Sequence, residues 1–484
     1  WRKEVTYFSY GQTIHRGRAA HLFGRCHIDT RNATMWRDYG LDGTLESARV
    51  TTLPIEQSAR VSSGSGISAM QMITALERGV LVPEQKQQIE AEKNGLALIR
   101  ADRGGLVYQP KIGLHVDVAQ IDFTSMYPAV IINGNISPEI PLPDGLMPTS
   151  TELGVVPQTL KPLYEKRVEL KFQLAECRDK STPEAARLRA RLSALKWLLV
   201  VCFGFLGYKN ARFGKIEAHE AVTRGGREAL LIAKEVCEAH GFEVLHLFVD
   251  ALWIRRSGCR HKDDYQQVLI EIAERTKMKI NLDGIFRWIA FLPSRGNDAQ
   301  PVPNRYFGVF QDGALKIRGI ESRRGDLPVW VAETQLEMLS CLAKASDARQ
   351  LPDYLPQAFR IFHAALASLN AGQVPLEQLV LTCRISQELE AYKSRTPVVR
   401  AALQLLERTG KRTGAGQKVR FLYTLDDVYA WDQPGYPDPE RIDRRRYREL
   451  LARAAGSVLY SFGIPQKQLS DYAQGELQFP LMLR

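Results

Sequence analysis

Cysteine is scarce in this chain and carries no pattern. There are seven in 484 residues, an odd number, scattered and without a C-x-x-C pair. That argues for a reducing compartment and against a structural zinc or iron–sulfur site. The nine histidines show no metal-ligand spacing either. No apolar run approaches the roughly 18 residues a membrane span needs, so no membrane partner is expected. The opening "WRKEVTYFSYGQ" has neither an initiator methionine nor a signal-peptide pattern, and the chain reads as a fragment. Internal repeats and low-complexity tracts are absent. "RGGREAL" lacks the G-x-x-x-x-G-K-[ST] frame of a phosphate loop, and "RRGD" at 323–326 reads as a surface loop.

What is present is a soluble globular composition, 45% hydrophobic and 25% charged, long enough for two to four domains. Sixty-five Lys and Arg against 54 Asp and Glu give a net charge of +11, which favours a polyanionic partner, most often nucleic acid. Short strand-like pieces such as "RCHIDT" and a Ser/Gly-rich loop, "VSSGSGISAM", precede a helix pattern from Met70 to Arg78. The next segment turns strand-like, with Val116, Val118, Gln120 and Asp122 alternating onto one face. Residues 159–203 read as two helices parted at Ser181-Thr182-Pro183-Glu184, Thr182 a natural N-cap and Pro183 a natural first helical residue. A helix follows over His219–His240, then the strand-like "EVLHLFVDALWIRR", a helix near 263–277 and strands near 305–321. From Leu327 the pattern is mostly helical. His219, in "EAHEAV", reads as a surface or satisfied helix histidine.

Two acids stand out. Asp250 sits inside the apolar run "VLHLFVDALWI", where an unpaired carboxylate would cost several kcal/mol (on the order of 3–5). Asp122 closes the strand-like run before "FTSMYP". Alone it reads as a strand-end acid capping a turn. Together, two carboxylates on neighbouring strands can hold two Mg²⁺ about 4 Å apart, activating an attacking hydroxyl and stabilising a leaving pyrophosphate.

With those residues in view, "DFTSMYPAVIINGNISPE" resembles motif A of the family B DNA polymerases, D-F-x-S-L-Y-P-S-I-I with N-I-S-P-E downstream. Gly104-Gly105 resembles the Y-x-G-G hinge, with Asp102-Arg103 departing from the Tyr position. "KWLLVVCFGFLG" resembles motif B, K-x-x-x-N-S-x-Y-G-x-x-G, and "ARFGKIEAHEAVTRGGREAL" the segment after it. "NRYFGVFQDGALKIRGIESRRGD" resembles the primer–template grip, and "LVLTCRISQELEAYKSRTPVVRAA" and "IDRRRYRELLARAAGSVLYSFG" resemble the thumb. "FGRCHIDT" is similar to the segment after the second exonuclease motif. "DYGLDG" approximates the third, Y-x-x-x-D, with Tyr39 and Asp42 three apart instead of four. Motif C, Y-G-D-T-D-S, laid ungapped on "VLHLFVDALWI", puts His246 on Tyr, Phe248 on the first Asp and Asp250 on the second. A rival register puts Asp250 on the first and Leu252 on the second. The ungapped one keeps the following apolar residues in step.

The resemblance covers roughly residues 20–465. It implies an α+β right-hand polymerase with an antiparallel palm sheet and helical fingers and thumb. The expected parts are a partial exonuclease-like domain and linker (1–100), palm (101–155), fingers (156–210), palm again (211–326) and thumb (327–484). It implies that Asp122 and Asp250 are catalytic and hold two Mg²⁺, with Mn²⁺ an expected substitute and the Phe123 carbonyl a third protein ligand. Arg167 and Lys171, four apart, share a helix face, as do Lys196, Val200 and Phe203. By resemblance Arg167, Lys171 and Lys196 bind the triphosphate, with Ser125, Met126, Tyr127 and Val200 completing the nucleotide site. Val200 stands where the family has Asn, and Phe203 where it has Tyr. Tyr127 corresponds to the residue that excludes a ribose 2′-hydroxyl. Gly104, Gly105, Phe203, Gly204, Arg305, Tyr306, Lys316, Arg318 and Lys393 would contact DNA.

The implied activity is template-directed addition of dNTPs to a primer, without proofreading in this chain, in replication, repair or lesion bypass. The implied partners are primer–template DNA, dNTPs and accessory proteins, in a cytoplasmic or nucleoid setting. The alternative is a catalytically inactive polymerase fold that binds primer–template or scaffolds a replication complex. Tyr127 disfavours an enzyme that makes RNA.

Overall fold

The computed structural model describes residues 3–9, 12–18, 20, 22, 24–30, 32–84, 92–101 and 103–476; Asp102 of the hinge motif and Phe23 of "FGRCHIDT" fall outside them. In chain order the strands are β1 (Val5–Ser9), β2 (Gln12–Arg16), β3 (Val107–Tyr108), β4 (Gly113–Phe123), β5 (Glu243–Phe248) and β6 (Ala251–Arg255). They continue with β7 (Ile280–Ser294), β8 (Asn297–Phe310), β9 (Leu315–Arg318), β10 (Leu381–Arg384), β11 (Lys418–Tyr423) and β12 (Val428–Ala430). The helices are α1 (Trp36–Thr51), α2 (Ile55–Arg60), α3 (Ser63–Glu77), α4 (Gly95–Arg100), α5 (Met126–Asn133), α6 (Val155–Glu176), α7 (Pro183–Leu206) and α8 (Ile216–Ala239). Then come α9 (Gln266–Thr276), α10 (Val329–Leu342), α11 (Leu351–Asn370), α12 (Leu376–Leu379), α13 (Pro397–Thr409), α14 (Arg444–Leu459) and α15 (Gln466–Gln474). The chain is therefore mixed α and β, as expected. It forms two compact units, one of Ala19–Tyr108 and Gln120–Asp283, the other of Arg2–Arg18, Gln109–Ala119 and Gly284–Arg484. Strands β1 and β2 belong to the second unit.

In the first unit the strand order is β3-β5-β6-β4-β7, with β3, β5 and β6 antiparallel. The break between α6 and α7 is as expected: the Ala185 amide donates to Thr182 Oγ at 3.2 Å and Pro183 opens the helix. The Ser/Gly run, expected as a loop, is instead the first turns of α3. Its glycines serve close helix packing: a Cβ on Gly64 would lie 1.9 Å from the Phe205 ring, and one on Gly66 would lie 2.8 Å from Thr51. "RCHIDT" takes no strand.

The strand expected through Asp250 is also corrected. Phe248 pairs with Ala251, so Val249 and Asp250 are the two-residue turn of a β5–β6 hairpin. The expected alternation along β4 is absent, since four consecutive residues, Val118–Ile121, are all buried. A strand covered on both faces reads as a continuous apolar run.

In the second unit β4, β7, β8 and β9 lie in that order, and β10, β11 and β12 make a separate antiparallel sheet that the helical pattern after Leu327 did not announce. Its core joins Trp288 and Phe307 to Phe362, Phe421 and Tyr447. The β1–β2 hairpin is tied in by Thr13 Oγ, which donates to the Ser386 carbonyl at 2.7 Å. Among the described residues no helix is long and apolar enough to cross a membrane.

Candidate active site

The hairpin turn delivers Asp250. Two-residue turns with φ > 0 favour Asn and Gly, yet Val249 has φ +60°, a conformation that costs a β-branched residue about 1–3 kcal/mol. Two main-chain bonds hold the turn. The Val249 amide donates to the Leu106 carbonyl at 3.0 Å, and the Phe123 amide donates to the Asp250 carbonyl at 2.9 Å. The second bond sets the end of β4, with Asp122, beside Asp250. Immediately after, Ser125 takes a left-handed conformation (φ +52°) and α5 begins, turning Tyr127 toward the same space.

A third acid, Asp283 on β7, accepts from Gln120 Nε2 at 3.1 Å, and Asn281 Nδ2 donates to Thr124 Oγ at 2.5 Å. Burial, and to a smaller extent the neighbouring Asp283 charge, push the Asp250 carboxyl above its ordinary value; a hydrogen bond from its own backbone and then Lys196 oppose them.

The cations of α6 and α7 line the same cavity as the acids. Arg167 Nη1 donates to Ser125 Oγ at 3.0 Å. Burial lowers the pKa of Arg167, and burial together with the Arg167 charge lowers that of Lys171, while Asp122 and Asp283 pull Lys171 the other way. Acids and cations wall a cavity of about 310 Å³. It is lined by eleven of the expected residues: Asp122, Phe123, Ser125, Met126, Tyr127, Arg167, Lys171, Lys196, Val200, Phe203 and Asp250. Asn281 and Asp283 line it too and were not expected. A larger cavity of about 530 Å³ near the end of α7 gathers Lys209, Arg212 and Lys215 but neither Asp122 nor Asp250.

Gly105 belongs to this neighbourhood: a Cβ there would lie 3.1 Å from both Tyr127 Oη and Val249 Cγ2. The Gly104 carbonyl accepts from Arg227 at 2.8 Å. Gly204 is half-buried within α7. In the second unit Arg318 and Lys393 are exposed, and the Lys316 ammonium lies 5.5 Å from the Phe310 ring centroid.

Arg305 and Tyr306 depart from expectation. Arg305 is 9% exposed; its guanidinium donates to the Pro293 carbonyl and to Ser457 Oγ and faces Glu321. Tyr306 is buried, its ring edge-on to Phe291. Their polar and aromatic faces are taken up inside the protein, which leaves no guanidinium edge for a phosphate.

Among the described residues no group of three His, Cys, Asp or Glu side chains has metal-ligating spacing. The donors at hand for a cation are the paired carboxylates and a backbone carbonyl, hard oxygen ligands that suit Mg²⁺. A partly buried Asp250 with a second acid beside it is a place where a divalent cation relieves an electrostatic cost.

The sequence matches the profile of DNA polymerase family B over residues 60–262 and 303–453. It is 26% identical over 442 residues to DNA polymerase 2 of Aeropyrum pernix, covering 88% of this chain and 51% of that protein. It is 29% identical over 318 residues to DNA polymerase 2 of Saccharolobus solfataricus, covering 64% of this chain and 47% of that one. The structure of the family B DNA polymerase from Pyrobaculum calidifontis superposes with a TM-score of 0.58 at 24% identity, over 87% of this chain and 53% of that one, and shares the fold. The chain thus spans about half the length of the curated relatives it matches. With motif segments in order and the family profile matched over most of its length, the chain belongs to DNA polymerase family B.

Proposed function

We propose that this chain catalyses template-directed DNA synthesis, adding dNTPs to a primer 3′ end by two-metal phosphoryl transfer. The observation that carries the reading is one cavity lined by both Asp122 and Asp250 and by Arg167, Lys171 and Lys196. Asp122, Asp250 and the Phe123 carbonyl would hold two Mg²⁺, or Mn²⁺ in their place. When bound, the metals supply charge for the attacking 3′-hydroxyl and the leaving pyrophosphate.

The protein's own part is positioning and electrostatics. The three cations of α6 and α7 hold the triphosphate, Arg167 oriented by Ser125. Val200, 50% exposed, offers apolar surface to the base. Tyr127 packs beneath the sugar and excludes a 2′-hydroxyl. Asp283 adds a further carboxylate beside Asp250 toward a cation. In this reading residues 101–155 and 211–326 are palm, 156–210 fingers, 327–484 thumb, and 1–100 an exonuclease-like remnant. Arg318, Lys316 and Lys393 supply phosphate contacts. Proofreading is not expected: Tyr39 and Asp42 keep the wrong spacing and Asp42 is exposed on α1.

A second reading, primer–template binding without catalysis, is favoured by Phe248, which pairs with Ala251 and Val107 where the family carries an acid. Primer extension with Mg²⁺ and with Mn²⁺ separates the two. Extension supports the enzyme, whereas tight binding with no extension under either metal overturns it in favour of the scaffold.

A further inference from the structure

We infer that His219 is a positioning residue for sugar selection, acting through Phe203 on Tyr127; the inference rests on the polymerase reading. Three helices each contribute one ring to a continuous stack. The Tyr127 ring of α5 lies 4.4 Å from that of Phe203 on α7, inclined by 35°. Phe203 in turn lies 4.2 Å from the imidazole of His219 on α8, inclined by 18°.

Away from the cavity, main chain comes close to Tyr127 at two glycines. A Cβ on Gly226 would lie 2.9 Å from Tyr127 Cε1, and one on Gly105 would lie 3.1 Å from its Oη. With the glycine backbone close at those two points, Phe203 is a side-chain neighbour against which Tyr127 rests, and His219 is a ring that backs Phe203.

His219 is itself held. Its Nδ1 lies 3.2 Å from the Phe203 carbonyl, one of the last four carbonyls of α7, which have no partner within the helix. In the tautomer with the proton on Nδ1 the imidazole donates that bond. A Cβ on Gly207 would come 3.0 Å from the imidazole, so the chain leaves room for a ring there. One side chain therefore both caps the end of α7 and backs Phe203. Removing it leaves a ring-sized void behind Phe203, into which Phe203 and then Tyr127 can recede, widening the space under C2′. No acid, base or metal ligand is altered, so the effect should fall on the choice of sugar and spare the chemistry.

The test is single-nucleotide insertion on a primer–template, comparing kcat/KM for a dNTP with that for the matching rNTP. His219→Ala should raise relative ribonucleotide use about five- to tenfold, with dNTP insertion within about twofold of the parent. His219→Phe, which restores the ring without the hydrogen bond, should keep most of the discrimination. In a Tyr127→Ala background, His219→Ala should add nothing further. If dNTP and rNTP insertion fall together and their ratio holds, His219 is merely structural and the inference is wrong. If Tyr127→Ala itself leaves the ratio unchanged, the reading of Tyr127 has failed instead. In a parent that does not extend primers, the same ratio is read as dATP against ATP binding to the complex with a dideoxy-terminated primer; equal ratios in parent and His219→Ala overturn the inference there as well.

Discussion

Asp250 and Glu46 are two carboxylates withdrawn from solvent in the same unit, Asp250 partly buried and Glu46 fully, and the protein treats them oppositely. Glu46, on α1, is 1% exposed and meets Lys166 at 2.6 Å, Arg191 at 2.8 Å and Arg49 at 3.3 Å. Burial pushes its carboxyl up, but the hydrogen bonds from Lys166 and Arg191 outweigh burial and hold it below the ordinary value. At Asp250, burial together with Asp283 outweighs the hydrogen bond from its own backbone and the Lys196 charge, and the carboxyl is held above its ordinary value. One acid is compensated by fixed cations on α6 and α7, the other is left poised for a removable one. A structural carboxylate is thus distinguished from a candidate metal ligand less by depth than by whether the chain itself completes its neutralisation.

The largest expected effect comes from breaking the Asp250 side. Asp250→Asn should lower primer extension by about a thousandfold or more while leaving primer–template binding nearly intact, because the amide keeps the shape and loses the charge. Asp122→Asn should match it, and the double variant should be little worse.

The pH dependence sharpens the contrast. A folded pKa raised above the unfolded one means the native state holds the proton more tightly, so stability is present at low pH and lost as pH rises through the folded pKa. Without metal, Asp250→Asn should therefore melt no lower than the parent at neutral pH, and any gain should vanish below about pH 4. Added Mg²⁺ or Mn²⁺ should raise the melting temperature of the parent and not of the variant. Equal extension by parent and Asp250→Asn would remove the metal assignment.

Much of this site was legible because its parts are local. Thr182-Pro183 marked the start of α7, and the i, i+4, i+7 spacing put Lys196, Val200 and Phe203 on one face, where the cavity gathers them. The hairpin was read as one strand because Val249 carries no turn chemistry; a β-branched residue at φ +60° is held by contacts distant in sequence, Leu106 and Phe123. Asp283 was missed although a signal existed. "INLDG" alternates apolar and polar residues, which puts Asn281 and Asp283 on one face of β7. The buried Arg305 could not have been foreseen, since its partners Pro293, Glu321 and Ser457 are assembled only by the fold.

On the Glu46 side the expected loss is of stability, with the opposite sign in pH. A depressed folded pKa contributes stability above the unfolded value that is lost as pH falls through the folded one. Glu46→Ala should cost about 3 kcal/mol, the low end for unpairing buried charges, because the side chains of Lys166 and Arg191 retain some solvent access. Chemical denaturation of variant and parent at neutral pH measures it. A loss below about 0.5 kcal/mol would put Glu46 with surface ion pairs and dissolve the comparison.

His246 extends the contrast to a base. It is fully buried in β5, its ring 4.7 Å from Trp253 and its Nδ1 2.6 Å from the Tyr108 carbonyl, and burial lowers its pKa to about 4. The unfolded chain binds the proton near pH 6.5 and the folded one does not, so stability falls as pH drops from 6.5 toward 4. By about pH 5 the loss is about 2 kcal/mol. His246→Phe, which cannot take the proton, should lack this part of the acid-side loss when melting curves at pH 7 and pH 5 are compared with the parent. Identical acid-side slopes in the two proteins would show that His246 titrates normally.

The smallest expected effect lies in the second unit, where the same contrast is posed by cations. Arg305 is enclosed by Pro293, Ser457 and Glu321, whereas Arg318 is exposed on β9, its guanidinium donating to the neighbouring Ile317 carbonyl. If the proposed grip on DNA runs through exposed cations, Arg318→Ala should weaken primer–template binding modestly. It should also flatten the dependence of log affinity on log salt by about 0.9, the release expected for one phosphate contact on duplex DNA. Arg305→Met should leave that slope unchanged, because its guanidinium is occupied internally. Its cost should appear in stability instead, since Glu321 would keep Arg295, at 2.7 Å, but lose a second cation. Titrations of both variants across a salt series, with a thermal melt of each, decide the point. A slope that changes with Arg305→Met and holds with Arg318→Ala would mean that the buried arginine reaches DNA after all, and that burial separates the structural cations of this unit no better than depth alone separates the acids of the first.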